Sequence, residues 1–152
     1  MKMPQGSGMV GLILVIAWVL VAVFGPMIAP FKIGSIVAPD VFERMGSVHL
    51  LGSDYLGRDV LSRLMNGARF TVGLSFGAAL LASTVGTGLA LFSAISGRWV
   101  DETISRLMDA LISIPGKILA LVIVAAFGSS LLLLLLIAAV SYTPGSFRIA
   151  RS

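Results

Sequence analysis

Cysteine is absent from the 152 residues, histidine occurs once and acidic residues number seven. Without cysteine there is no disulfide framework and no thiolate metal site. A single histidine excludes a histidine cluster for metal. Charge is also scarce: 12% of residues are charged, against roughly 25% in soluble domains. What fills the chain is apolar, 57% of it, with a mean hydropathy of +1.02. A soluble globule of this size cannot cover that much apolar surface, which points to an integral membrane protein. The net charge is +4 and the pI about 10.1, yet the basic residues stand singly between apolar runs. Positive charge looks like this when it flanks membrane spans, so nucleic acid is not an expected partner. No Walker A pattern is present: "GTG" at 86–88 lies inside an apolar run and no Lys follows it. No metal and no cofactor are expected.

The apolar runs define an all-α polytopic membrane protein of about four transmembrane helices. Residues 10–29 carry no charge; twenty residues at about 1.5 Å each span about 30 Å, the hydrocarbon thickness. Lys2 precedes this run, and no A-x-A site follows it, which favours an uncleaved anchor over a signal peptide. Pro26 and Pro30 mark its end. A second span is read at 70–96. On it Gly73 and Gly77 form a GxxxG, and Ala78, Ala82, Gly86 and Ala90 recur every fourth residue. Such a stripe is a helix-packing face, because small residues let another helix approach closely. A third span is read at 104–127 and a fourth at 131–147. The third carries polar residues: Arg106, Asp109, Pro115 and Lys117. Its twelve Leu, Ile, Val or Phe residues favour insertion by about 4 to 7 kcal/mol, while a central Asp or Lys costs about 2.5 to 3.5 kcal/mol. The two sides nearly cancel, so this helix should lean on neighbours, with its polar residues facing the bundle. Arg106 and Asp109 have the spacing of a local ion pair.

One block is different. "HLLGSDYLGRDVLSRLMNGARF", residues 49–70, holds Asp54, Arg58, Asp59, Arg63 and Arg69. It ends an insert, 31–69, whose first half reads as loop from Gly34, Pro39 and Gly46. From about Asp59 it reads as an amphipathic helix. Val60, Leu61, Leu64, Met65 and Ala68 lie on one face, and Asp59, Ser62, Arg63, Asn66 and Arg69 on the other. Such a helix would lie at the interface before the chain turns into the membrane. Asp59 is spaced for a pair with Arg63 and placed to cap the helix. His49 reads as a solvated loop residue. Asp54 and Asp59 sit among arginines without a nucleophile, so catalysis is not expected, and the chain is read as no enzyme.

The same block closely resembles a signature of the second permease subunit of ABC importers for dipeptides, oligopeptides and nickel. The family pattern runs approximately H-x-L-G-T-D-x-x-G-R-D-V-x-S-R-x-x-x-G-A-R. Gly52, Asp54, Gly57, Arg58, Asp59, Val60, Ser62, Arg63, Gly67, Ala68 and Arg69 match it, and Ser53 replaces the usual Thr. "FGPMIAP", "VDETISRLMDALISIPG" and "YTPGSFRIARS" extend the resemblance over nearly the whole chain. Lys117 departs from it, standing where the family usually has an apolar residue.

The resemblance implies part of a type I importer permease fold in a bacterial inner membrane. It implies a cytoplasmic N-terminus and a periplasmic elbow near the outer gate. Counting charge cannot decide this orientation: Lys2, Arg98, Arg106, Arg148 and Arg151 would lie inside, and Lys32, Arg44, Arg58, Arg63 and Arg69 outside. The implied partners are a second permease subunit, ABC ATPase subunits that hydrolyse ATP, a periplasmic substrate-binding protein and the lipid bilayer. Residues 1–69 would be anchor and elbow, and 70–152 the start of the permease core. In the family the chain continues past the position of Arg151 into an E-A-A…G loop that docks on the ATPase. The chain is therefore expected to correspond to the N-terminal half of a permease, unable to transport by itself. Two further readings stay open: a nickel or metallophore importer, and a membrane scaffold that moves nothing. A channel would want a polar re-entrant filter segment, which the sequence does not display.

Overall fold

The computed structural model describes residues 5–38 and 40–152, with side chains from residue 8. Lys2 and Pro39, read as a span flank and a loop marker, lie outside the described residues. Five helices follow one another: α1 Gln5–Ile28, α2 Val60–Ile95, α3 Arg98–Ser113, α4 Gly116–Phe127 and α5 Leu131–Arg151. No strand forms among the described residues; one isolated bridge joins Ser53 and Asp59. Three helical stretches are long and apolar enough to cross a membrane, Gly8–Ile28, Val60–Ile95 and Leu131–Arg151. The chain is an all-helical, multi-pass membrane protein. It separates into two compact units, one ending at Gly73 and the other running from Leu74 to Ser152.

In the first unit α1 continues through Pro26 to Ile28. Proline removes a backbone donor, but only the last turn remains to be made, so the helix ends two residues later. Gly25, just before it, lies against α2: a Cβ there would stand 3.0 Å from the Met65 carbonyl oxygen. No separate interfacial helix precedes the second span. Residues 60–69 and 70–95 form one continuous helix of 36 residues, about 54 Å long, well beyond the roughly 30 Å hydrocarbon core. Hydropathy changes near Arg69, but nothing there breaks the hydrogen-bond ladder. The amphipathic reading of its first turns is also corrected. Ser62, assigned to the polar face, is 3% exposed, and Leu64, assigned to the apolar face, is 55% exposed.

In the second unit the largest correction concerns 104–127, which is no single unbroken helix. Pro115 disfavours helical geometry at the residue before it, and Ile114 is extended, with φ −89° and ψ 118°. Two helices result, α3 and α4, bent by 81° at this break. Gly128, with φ +85°, ends α4. Ser130 then caps α5, its hydroxyl accepting the Leu133 N–H. α5 runs through a fully buried Pro144 and reaches Arg151, beyond the expected end at 147.

Ala78, Ala82 and Ala90 are each at most 2% exposed. The small-residue stripe meets α5 of the same chain. A Cβ on Gly86 would stand 2.8 Å from the Thr143 carbonyl oxygen and 2.9 Å from the Phe147 nitrogen, and one on Gly77 2.9 Å from Leu135 Cδ1. The stripe is therefore not open to a second subunit at these positions, and Gly73 has free space beside it. Ala90, Met108 and Phe147 form the core, with Leu89, Ile104 and Leu111 packed on it.

Candidate functional site

The polar elbow, residues 31–63, is the most organised polar region of the first unit. Two glycines set its path. Gly52 has φ +72° and Gly57 φ +68°, conformations that cost a side-chain-bearing residue energy. Both also face backbone closely: a Cβ would lie 2.3 Å from the Glu43 oxygen at Gly52 and 2.9 Å from the Ala38 oxygen at Gly57. The Gly57 carbonyl accepts from the Val37 and Ala38 N–H groups at 2.9 and 3.0 Å. Ser53 N–H donates to the Glu43 carbonyl at 3.1 Å. The Ser53 hydroxyl accepts from Glu43 N–H at 2.8 Å and donates to the Asp40 carbonyl at 3.1 Å. The Ser in place of the usual Thr keeps the hydroxyl that closes this loop.

Asp59 ends the elbow and starts α2. Its Oδ2 accepts the Ser62 N–H at 2.7 Å, which is N-cap geometry, and the Ser62 hydroxyl at 2.7 Å. The Ser62 oxygen in turn accepts the Phe31 N–H at 3.1 Å, tying the chain that leaves α1 to the start of α2. The other Asp59 oxygen lies 3.1 Å from His49 Nδ1. A carboxylate only accepts, so Nδ1 carries the proton. His49 Nε2 stands 3.9 Å from Glu43 Oε2, and its ring stacks near Phe31 at 5.1 Å. His49 and Asp59 are each 3% exposed. His49 is thus a buried member of the cap, and reading it as solvated is corrected.

The ion pairing differs from the i,i+4 expectation as well. Arg63 pairs with Asp54, not with Asp59. Asp54 also accepts the Leu56 and Arg58 N–H groups at 2.8 and 2.9 Å. Desolvation pushes the Asp54 carboxyl up, but these two N–H groups and the Arg63 guanidinium outweigh it, and its pKa lies below the ordinary 3.8. Desolvation acts likewise on Asp59; the Ser62 hydroxyl and N–H, with His49, outweigh it and hold that pKa low too. Arg58 is half-buried, its Nε without a hydrogen-bond partner among the described residues, and Arg69 is exposed.

The polar residues expected in the third span do not face a bundle. Arg106 pairs with Glu102 at 2.5 Å, and Asp109 with Arg148 of α5 at 2.5 Å. Asp109 is 62% exposed in its side chain, and Lys117 is exposed on α4. Pro115 is the helix break itself. Arg151 reaches Asp101 and the Ser105 hydroxyl, and the Ser93 hydroxyl donates to Asp101. Pattern reading overlooked His49, Glu43, Ser53 and Ser62 as parts of one network. The signal available was that His49 opens the signature, ten residues before Asp59. Among the described residues no three His, Asp or Glu side chains gather into a metal-holding group. The elbow's hydrogen bonds tie the chain that leaves α1 to the start of α2.

Residues 86–152 match the sequence profile described as "Binding-protein-dependent transport system inner membrane component". Over these residues the chain is similar to that family. It is 33% identical over 143 residues to a dipeptide transport system permease protein DppC of Alkalihalophilus pseudofirmus, covering 94% of this chain and 47% of that one. It is 34% identical over 157 residues to the dipeptide transport system permease protein DppC of Haemophilus influenzae, covering 99% and 53%. A peptide transport system permease protein SapC of Escherichia coli O6:H1 is 37% identical over 133 residues, covering 84% and 45%. The chain spans about half the length of the curated relatives it matches.

Proposed function

We propose that the chain forms part of the transmembrane path of an ATP-driven ABC importer for dipeptides or oligopeptides. Its share of the work is mechanical: ATP would be hydrolysed by partner ATPase subunits, and solute delivered by a periplasmic binding protein to a path shared with a second permease subunit. The observation that carries this reading is the match to peptide permeases over 94% and 99% of the chain. The signature residues support it, since Gly52, Ser53, Asp54, Gly57, Asp59 and Ser62 each have a definite place in the fold of the elbow. In this reading residues 1–69 are anchor and elbow and 70–152 begin the permease core. The N-terminus is cytoplasmic and the elbow periplasmic, fixing the angle at which α2 enters the bilayer.

A growth assay tests it. Disrupting the coding region for residues 86–152 should make cells resistant to a toxic dipeptide analogue and abolish uptake of a labelled dipeptide. Unchanged peptide uptake together with lost nickel uptake would favour the nickel importer instead. No change in either would favour a scaffold.

A further inference from the structure

Helix α3 has three distinct faces. One is buried, with Met108 3% exposed beside Ile104 and Leu111 in the core. A second is charged and turned partly to α5, through the Asp109–Arg148 and Asp101–Arg151 pairs. The third is apolar and uncovered: Trp99 is 85% exposed, Leu107 57% and Val100 41%, and Thr103 and Ala110 are exposed between them. At 3.6 residues per turn, positions 99, 103, 107 and 110 form a single stripe.

The surroundings of α3 say what covers this stripe. α3 starts three residues after the membrane-crossing α2 ends at Ile95. It ends at the 81° bend into the apolar α4. Its charged face is pinned to Arg148 and Arg151, in the last turn of α5. The helix is thus held where spans end, crosswise to α4. It cannot itself cross the bilayer, because its sixteen residues include Arg98, Asp101, Glu102, Arg106 and Asp109, each costing about 2.5 to 3.5 kcal/mol at a membrane centre. Beside Trp99 stand Arg98, with no carboxylate partner among the described residues, and Arg106. An exposed Trp with basic neighbours on an amphipathic helix fits the headgroup layer of an anionic bilayer.

We propose that α3 lies in the plane of the membrane, with the Trp99–Thr103–Leu107–Ala110 stripe seated in the phospholipid interface. Its two ion pairs then couple the end of α5 to the bilayer surface. The proposal goes beyond transport and is tested without it. Since the chain has no cysteine, single variants Trp99→Cys, Thr103→Cys, Leu107→Cys and Ala110→Cys can be spin-labelled. Each is reconstituted in vesicles of phosphatidylcholine and phosphatidylglycerol, and its depth is read from collisions with oxygen and with a nickel chelate. All four should be shallow and agree in depth to within about 5 Å, and Arg106→Cys should be reached by the nickel chelate. A depth rising by about 16 Å from position 99 to position 110, the rise of a spanning helix, overturns the proposal. So does a stripe that neither reagent reaches, which would mean that protein covers it.

Discussion

Asp59 is the residue on which the elbow turns. Its two oxygens accept from the Ser62 N–H, the Ser62 hydroxyl and His49. Asp59→Ala removes an N-cap worth about 0.5 to 2 kcal/mol. It also leaves a buried imidazole N–H without its acceptor, a further cost of about 1 to 3 kcal/mol. Arg63→Ala removes one side of a pair whose Arg is 48% exposed, and such pairs contribute about 1 kcal/mol or less. Thermal unfolding in detergent should therefore rank Asp59→Ala well below Arg63→Ala, and equal midpoints would contradict the cap assignment. The pH dependence follows from the sign of the shifts. Both Asp54 and Asp59 have folded pKa values below 3.8. Their stabilisation is fully present above 3.8 and is lost as pH falls through the lower folded values. The gap between the wild-type chain and Asp59→Asn should stay constant in neutral solution and close only in acid below 3.8. A gap that closes near neutrality would put the titration on another group. Little of this network was legible in the sequence. Asp59 announced itself as a cap by its position before an apolar run. His49 did not, because a lone histidine among loop residues is buried only when Gly52 and Gly57 fold the loop back over it.

At the level of elements, hydropathy located the spans while the backbone set their limits. The run at 10–29 and the leucines at 131 became helices close to where they were read. The polar-to-apolar change at 69–70 was read as a change of helix, and it is none, because a change of side-chain polarity does not interrupt backbone hydrogen bonds. Pro115 was visible, yet its consequence depends on Ile114 taking an extended conformation, and side-chain pattern does not encode an 81° bend. The small-residue stripe offers a test by contrast. Gly86→Ala drives a Cβ into the backbone of α5 at Thr143 and Phe147, with no flexible side-chain end to give way. Such overpacking costs about 1 to 3 kcal/mol. Gly88→Ala, two residues on, meets nothing within 4 Å and should leave stability unchanged or raise it by up to about 1 kcal/mol. If both variants unfold at the same midpoint, the close approach of α2 and α5 at Gly86 is wrong.

For the whole molecule, the sidedness of the C-terminus can be argued without counting charges. Five basic residues on each side leave the positive-inside rule silent. The packing within the second unit speaks instead. α4 rises from Gly116, beside Ser141, to the turn at 128–130, and α5 returns from Leu131. Its last turn then meets α3 through Arg148 with Asp109 and Arg151 with Asp101. The end of α5 must therefore share a membrane face with α3, which follows directly on α2. In the proposed orientation Ser152 is cytoplasmic and the elbow periplasmic. The cysteine-free chain allows a clean measurement with a membrane-impermeant maleimide in intact cells. Ser53 is 7% exposed and would stay unlabelled on either side, so Tyr55, 62% exposed, is the proper elbow probe. Tyr55→Cys should label in intact cells, and Ser152→Cys only after the membrane is opened. Labelling at both positions in intact cells would contradict the proposed orientation. Labelling at Ser152→Cys alone would keep that pairing and invert the whole chain.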